Sequence, residues 1–337
     1  MTLKSQPTTS AAALTVGPTP LSRLTRNLVP LGVGVILVVA VAVLVPNFFQ
    51  LSNILNVGRQ AAIVGVIAIG VTFVILTAGI DLSVGAILAV SGVTMALLIN
   101  SGTPAPLAIL AALFAGLAIG TINGLGAAFL HIQPFIMTLA TMVAVQGLSL
   151  RLTSGGPIQF SNDDAIFMVM GKSQILGLPS PFVIFVFVSI LGILALRYLA
   201  FGRSLYAIGG SFEAARLSGV PTRRTLVIAY GISGVCAALA GVMTASRLGT
   251  GDPVAGSLSN LDAITAVVIG GTSLLGGRGG AVGTVFGALL LAVLSNIMNL
   301  VGISPFDQQI VKGVVIIAAV LITGDNLRQI LKRRTVS

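Results

Sequence analysis

Long apolar stretches recur along almost the whole chain, separated by short clusters of glycine, proline and polar residues. Each stretch is about as long as a helix needs to cross a hydrocarbon core of about 30 Å. The predicted membrane-spanning helices, ten in all, lie near residues 28–46, 61–79, 84–100, 105–123, 134–152, 179–200, 225–247, 261–277, 281–301 and 307–323.

Two joins between these stretches are too short for ordinary loops. They fall at residues 80–83 and 278–280. Membrane proteins tolerate non-helical backbone at membrane depth where protein or a cavity surrounds it. We therefore expect broken or re-entrant helices at both joins.

The composition predicts an all-α membrane protein and not a soluble domain. Hydrophobic residues make up 55% of the 337 positions and charged residues only 8%, which leaves more apolar surface than a soluble fold can bury. The pattern predicts three parts: a flexible cytoplasmic tail over 1–27, a polytopic membrane domain over 28–323 and a basic cytoplasmic tail over 324–337.

The distribution of basic residues predicts which loops face the cytoplasm. With ten spans and an internal N-terminus, thirteen lysines and arginines fall at the cytoplasmic side and four outside, while Lys312 lies within the last span. This asymmetry follows the positive-inside rule, so we expect both termini in the cytoplasm. The net charge of +10 is then explained by topology and by anionic lipid headgroups, and it needs no nucleic-acid partner.

Two hydrophilic segments interrupt the apolar pattern on opposite sides of the predicted membrane. The outer one, residues 153–178, is either a solvated lid or a docking surface for an external partner. In the inner one, residues 202–224, Ser211 is a good N-cap and Gly219 is placed to end a helix. This pattern predicts a short surface helix over about 211–218, either a capped linker or a lever moved by a cytoplasmic motor.

Glycines at four-residue spacing form two rows in the predicted spans, and each row would lie on one helix face. Such rows permit close packing of helices, either in the interior of the bundle or between two copies of the chain, and we expect the interior because it needs no second chain. The rows are Gly116, Gly120 and Gly124, and Gly279, Gly283 and Gly287.

Four motifs stand out along the chain: Gly79-Ile80-Asp81-Leu82-Ser83-Val84-Gly85; Gln133-Pro134-Phe135-Ile136-Met137-Thr138-Leu139; Glu213-Ala214-Ala215 with Ser218-Gly219; and Gly270-Gly271-Thr272-Ser273 with Gly276-Gly277-Arg278-Gly279. Each string alone is common in membrane proteins. Together, in order and spacing, they resemble the permease subunits of bacterial ATP-binding-cassette (ABC) importers for ribose, xylose, galactose and similar monosaccharides. The resemblance covers roughly residues 50–320.

The resemblance implies a transport subunit in the bacterial inner membrane that is not an enzyme and has no ATPase site or cofactor of its own. Its partners would be a cytoplasmic ABC ATPase, a periplasmic sugar-binding protein, a second permease in a homo- or heterodimer, and membrane lipid. The resemblance also assigns an ATPase-coupling role to one loop. The residues of that loop are Gly209, Gly210, Glu213, Ala214, Ala215, Ser218 and Gly219.

Polar side chains in or beside the spans are candidates for a translocation path, because a neutral sugar needs hydrogen-bonding partners. The same residue types also join membrane helices to each other, so both roles stay open. A carboxylate at the membrane edge is costly, and Asp81 is either a gate or the cap of the helix that follows. The candidates are Asp81, Asn123, Gln133, Thr138, Gln146, Asn296 and Asn299.

An ion-coupled secondary transporter of a small polar solute is the main alternative. That class buries ionisable residues near mid-membrane, and the candidates here are Asp81 and Lys312, with Asp307 as a candidate counter-ion one turn away. A membrane enzyme or a metal site would need clustered histidine and acidic residues. The sole histidine, His131, and the sole glutamate, Glu213, lie far apart in the sequence, so we expect neither.

Overall fold

The computed structural model describes residues 43, 45–161 and 163–323. This part of the chain is mainly helical. The longer helices are α1 (Leu51–Leu76), α2 (Val84–Asn100), α3 (Ala105–Phe129), α4 (Pro134–Leu152), α5 (Ser180–Tyr198), α6 (Ala200–Gly210), α7 (Phe212–Leu217), α8 (Thr222–Leu248), α9 (Ser259–Ile269), α10 (Ala281–Leu300) and α11 (Pro305–Thr323).

Six of these helices are long and apolar enough to cross a membrane: α1, α3, α4, α5, α8 and α10. The chain is therefore a multi-pass helical membrane protein, as the hydropathy pattern predicts. Helix α2 has 17 residues and α11 has 19, and both coincide with predicted spans. The predicted span 28–46 lies almost wholly outside the described residues, as do the tails 1–27 and 324–337. The count of ten spans stays a prediction.

The predicted span over 261–277 is wrong as a single helix. Helix α9 has 11 residues and ends at Ile269, which at 1.5 Å per residue is only about half of what a hydrocarbon core requires. The chain turns away from the helix at Gly271, whose φ is +83°. The second join is therefore much longer than predicted and extends from 270 to 280.

The first join is also non-helical. The chain leaves the helix at Leu76 and re-enters one at Val84. Between them, Ala78 is exposed and has a left-handed φ of 63°, while Asp81 and Ser83 are fully buried. We call residues 76–83, which begin at the last residue of α1, the first break and residues 270–280 the second break. Both lie where the sequence predicts interrupted helices.

The interior of the bundle is formed mainly by α1, α2 and α8, whereas α4 lies largely at its periphery. Helix α8 packs against α1, α2 and α3. The first glycine row confirms the expected close packing, because a Cβ at Gly116, Gly120 or Gly124 would overlap α8. The second row is shorter than predicted. Gly279 precedes α10 and has a φ of 115°. Only the other two glycines of this row, Gly283 and Gly287, pack α10 against the α9 region.

Loops gather at two opposite ends of the bundle. At the upper end, β1 (Ile158–Gln159) pairs antiparallel with β4 (Thr250–Gly251), and β2 (Gln174–Ile175) pairs antiparallel with β3 (Leu178–Pro179). A short helical segment over 165–172 also belongs to the upper end. The lower end contains α6 and α7, beside both breaks. The two hydrophilic segments therefore lie at opposite ends, as the sequence predicts.

Candidate functional site

The surface helix predicted at the lower end is present as α7. Its N-terminus is capped by the Ser211 hydroxyl, which accepts a hydrogen bond from the Ala214 amide at 3.3 Å. Its C-terminus ends where Gly219 adopts a φ of 79°, which lets the Val220 amide donate back to the Ala215 carbonyl at 3.0 Å. Both ends of this six-residue helix are therefore fixed by specific bonds.

Helix α7 presents a charged face outward and an apolar face inward. Glu213 and Arg216 are 61% and 60% exposed, and Arg216 Nε donates to Glu213 Oε2 at 3.2 Å. This hydrogen bond lowers the pKa of the Glu213 carboxyl, so the carboxylate stays ionised at neutral pH. On the other face, Ala215 is buried in a small cluster with Ala128, Ile208 and Leu226. Of the other coupling candidates, Gly210, Ala214, Ser218 and Gly219 are exposed and Gly209 is half-buried.

Helix α6 touches both breaks. A Cβ at Gly209 would overlap the Leu76 carbonyl oxygen and the Gly277 amide. These two groups are themselves joined, because Gly277 N donates to Leu76 O at 3.0 Å. One turn earlier on α6, the Tyr206 hydroxyl donates to the Gly279 carbonyl at 2.9 Å. Partial burial raises the pKa of this phenol, so it remains a donor.

The first break has Asp81 at its centre, fully buried. One carboxylate oxygen accepts the Ser83 amide at 3.0 Å and the Ser83 hydroxyl at 2.6 Å. The other accepts the Ser233 hydroxyl of α8 at 2.8 Å. In the described part of the chain, no lysine or arginine forms an ion pair with Asp81. The carboxylate therefore orders the start of α2 and ties it to α8.

A chain of hydrogen bonds extends this cluster to α3 and α4. Asn123 Nδ2 donates to the Ser83 hydroxyl at 2.8 Å, and the Thr141 hydroxyl donates to Asn123 Oδ1 at 2.6 Å. The Thr138 hydroxyl lies 3.1 Å from the Ile80 carbonyl and 3.0 Å from the Pro134 carbonyl of its own helix, and its one proton is shared between these two acceptors. Because Ser83 gives its only hydroxyl proton to the carboxylate, it must accept from Asn123, and the donors that run from Thr141 through Asn123 and Ser83 are all directed toward Asp81. We call this set the Asp81 network.

The other predicted path residues lie elsewhere. Gln146 donates to the Pro253 carbonyl at 2.7 Å at the upper end. Asn296 exchanges hydrogen bonds with Asn53, and Asn299 accepts from Gln308 at 2.8 Å. The structure brings together Asp81, Asn123 and Thr138 but not the remaining four candidates. Their role in a path remains a prediction.

Gln133 lines a cavity of about 250 Å³ at the lower end. The cavity lies between the first break, the connection from α3 to α4, and Phe212 of α7. A movement of α7 would therefore change its shape directly. The lining residues are Thr77, Gly79, Ala127, His131, Ile132, Gln133, Pro134, Phe212 and Leu226.

The sequence suggests Asp307 as the counter-ion of Lys312, but Lys312 pairs with a different residue. Its ammonium group lies 2.9 Å from Asp262 Oδ2 on α9, and both side chains are largely buried. Asp307 instead accepts from the Ser304 hydroxyl at 2.8 Å, at the start of α11. The partner was missed because it lies fifty positions away in the chain.

Sequence reasoning also missed Ser233, Thr141 and Tyr206. Thr141 could have been found from the sequence, because it follows Thr138 by three residues and the two therefore lie on one face of α4. Ser233 lies in an apolar run without such a signal. In the residues with assigned positions, no three histidine, cysteine, aspartate or glutamate side chains are grouped as a metal site would require.

Comparison with known proteins identifies the family. Residues 53–320 match the family described as "Branched-chain amino acid transport system / permease component". The chain is 47% identical over 287 residues to the ribose import permease protein RbsC of Bacillus subtilis (strain 168), an alignment that covers 85% of this chain and 89% of the relative.

Two further relatives are similar over most of their length. The L-arabinose transport system permease protein AraH of Escherichia coli (strain K12) is 38% identical, in an alignment that covers 88% of this chain and 90% of the relative. The galactofuranose transporter permease protein YtfT of the same organism is also 38% identical, in an alignment that covers 89% of this chain and 90% of the relative. No solved structure matches the chain. The chain belongs to the family of transport-system permease components whose model matches residues 53–320.

Proposed function

We propose that this chain is the membrane-spanning permease subunit of an ABC importer that carries a monosaccharide, a pentose or hexose, across the bacterial inner membrane. The observation that carries the proposal is the similarity, over 85–89% of the chain, to permeases named for ribose, L-arabinose and galactofuranose. A separate ATPase subunit hydrolyses ATP, and this chain forms the path.

The lower end faces the cytoplasm and binds the ATPase. The charged face of α7, with Glu213 and Arg216 both exposed, supports this assignment, because a docking surface has to present its polar groups to the partner. Both chain termini lie on the same side, and ten spans connect them, with the breaks acting as interrupted or re-entrant segments. The coupling loop extends from Gly209 to Gly219.

The upper end faces outward and receives the sugar-binding protein. The pairing of β1 with β4 holds the start of the outer segment against the loop that follows α8, and the pairing of β2 with β3 closes a turn within that segment, which supports a docking surface at this end. A second copy of the permease completes the path. Helix α4, which is mostly exposed and lies at the periphery, supplies surface for that dimer and for lipid.

Transport proceeds by alternating access. Closure of the ATPase moves α7, the cavity beside Phe212 changes shape, and the Asp81 network holds or releases the first break. In this scheme Asn123, Thr138 and Gln133 offer hydrogen bonds near the lower mouth of the path, and Gln146, Asn296 and Asn299 do so near the upper mouth. A sugar needs such groups, but no tight site, because the binding protein selects the substrate.

An ion-coupled transporter is the second candidate. The Lys312 and Asp262 pair, largely buried between α11 and α9, is the observation that favours it, since intramembrane ionisable groups often mark ion pathways. The two candidates differ in one respect that can be measured. Only the importer depends on a separate ATPase.

The test is uptake into proteoliposomes that contain the chain alone, or the chain with an ABC ATPase and a binding protein from the same organism. The panel of solutes is ribose, arabinose, galactose, galactofuranose and, for the family description, leucine. We expect that one sugar of the panel is taken up, and that this uptake occurs only when all components and ATP are present. Uptake by the chain alone along a proton or sodium gradient would overturn the importer proposal, and uptake of leucine alone would overturn the substrate class.

A further inference from the structure

The last turn of α6 is in backbone contact with both breaks. Gly209 has no room for a side chain, because the Leu76 carbonyl and the Gly277 amide occupy the space where a Cβ would lie. The next residue, Gly210, faces open space, with nothing within 4 Å of such a Cβ. The absence of a side chain therefore matters at Gly209 and not at its neighbour.

The two breaks are also held to each other at this point. Gly277 N donates to Leu76 O at 3.0 Å. Gly276, with a φ of 80°, lies against the Ala78 amide and the Gly209 Cα. Ala78 is a non-glycine residue in the left-handed region, a conformation that persists only when the surroundings impose it. The three segments meet with backbone against backbone.

Tyr206 makes a second attachment on the same face of α6. It precedes Gly209 by three residues, so the two lie on one helix face, and its hydroxyl donates to the Gly279 carbonyl. A rotation or shift of α6 must therefore displace the second break through Tyr206 and the first break through Gly209. Only Ser211 separates α6 from α7, and only Gly79 and Ile80 separate Ala78 from Asp81.

We infer that Tyr206 and Gly209 form the joint through which movement of α6 and α7 reaches the two breaks and the Asp81 network. They are positioning residues, because they act through the backbone of the breaks and are separate from the charged face of α7. The inference rests on the proposed function and names the residues through which movement driven by the ATPase passes within this chain.

The test compares Gly209→Ala with Gly313→Ala in the complete importer reconstituted in proteoliposomes. Gly313 lies in α11, outside the coupling loop, and has nothing within 4 Å of an added Cβ. Both variants add one methyl group to a helical glycine, so the effects on helix propensity are similar. Sugar uptake and ATP hydrolysis are measured on the same preparation, and co-purification of the ATPase reports assembly. We expect Gly209→Ala to lower the ratio of sugar moved to ATP hydrolysed by about tenfold, within the usual range of coupling between sites. Gly313→Ala should leave this ratio unchanged.

Tyr206→Phe is the second variant and keeps the test decisive if Gly209→Ala does not fold. It retains the ring and removes only the hydrogen bond to Gly279. We expect a several-fold lower ratio of uptake to hydrolysis with assembly intact. The inference is overturned if both glycine variants behave alike, or if uptake and hydrolysis fall in parallel in Gly209→Ala and Tyr206→Phe. Failure of the proposed function itself would look different, because the wild-type complex would show no ATP-dependent uptake.

Discussion

Asn53 of α1 and Asn296 of α10 exchange hydrogen bonds: Nδ2 of Asn53 donates to Oδ1 of Asn296 at 2.9 Å, and the reverse bond measures 2.8 Å. Both side chains are buried at the upper end. Such a reciprocal pair satisfies both amides and joins two helices that are far apart in sequence.

We predict that Asn296→Leu lowers stability by about 1–2 kcal/mol, because it leaves Asn53 Oδ1 without its donor, while Asn53 Nδ2 keeps its bond to the Phe48 carbonyl. The measurement is thermal unfolding of the purified chain in detergent. The double variant Asn53→Leu with Asn296→Leu should recover part of the loss, since neither amide is then left unpaired. A variant with unchanged stability and abolished uptake would instead assign Asn296 to the path.

Asp81→Asn should fold and retain most ATP-dependent uptake. The amide oxygen can still accept from Ser83, and the amide nitrogen can donate to the Ser233 hydroxyl, so the hydrogen bonds that order the first break persist. Asp81→Leu is the contrasting variant. It leaves the Ser83 amide and two hydroxyl groups without an acceptor, and we expect a loss of stability of several kcal/mol, about 1–3 for each unpaired group. Complete loss of uptake in Asp81→Asn, with wild-type thermal stability, would mean that the negative charge itself is required and would favour ion coupling.

Glu213→Arg should abolish stimulation of the ATPase by the sugar-loaded binding protein without lowering thermal stability. The side chain is mostly exposed, so the fold does not depend on it, but the surface offered to the ATPase changes from an ion pair to two positive charges. The double variant Glu213→Arg with Arg216→Glu restores the pair within α7 in reversed order. If the double variant recovers full stimulation, the pair serves only α7 itself and not the docking surface.

Lys312→Met should destabilise the chain by roughly 2 kcal/mol, because it leaves the Asp262 carboxylate largely buried without its counter-charge. Lys312→Met with Asp262→Leu removes both charges, and we expect stability close to that of the wild type. Uptake driven by ATP should persist in the double variant. If that variant is stable but inactive, the pair takes part in transport and the ion-coupled alternative gains support.

Hydropathy predicted the long helices well because the feature it measures, apolar length, is the feature that a membrane requires. It failed at 261–277 because α9 ends within an apolar run. Gly270 and Gly271 are compatible with an apolar segment by composition, but Gly271 turns the backbone with a positive φ. Composition carries no information on that turn.

The parts of the candidate site that depend on residues close together in the sequence were predictable. The caps of α7 follow from Ser211 and Gly219, which act locally. The Asp81 network was only half predictable, because Ser233 is 152 positions away and reaches the carboxylate through packing of α8. The partner of Lys312 was missed for the same reason: residue type does not indicate which distant helix a side chain will face.

The two caps of α7 also bear on how fast a partner can bind. A helix of six residues does not persist by itself in water, yet the Ser211 hydroxyl and the turn at Gly219 hold this one in its final shape. A protein that docks on it meets a preorganised surface, so little conformational entropy is lost on association. Repeated engagement during a transport cycle would not require the loop to fold again each time.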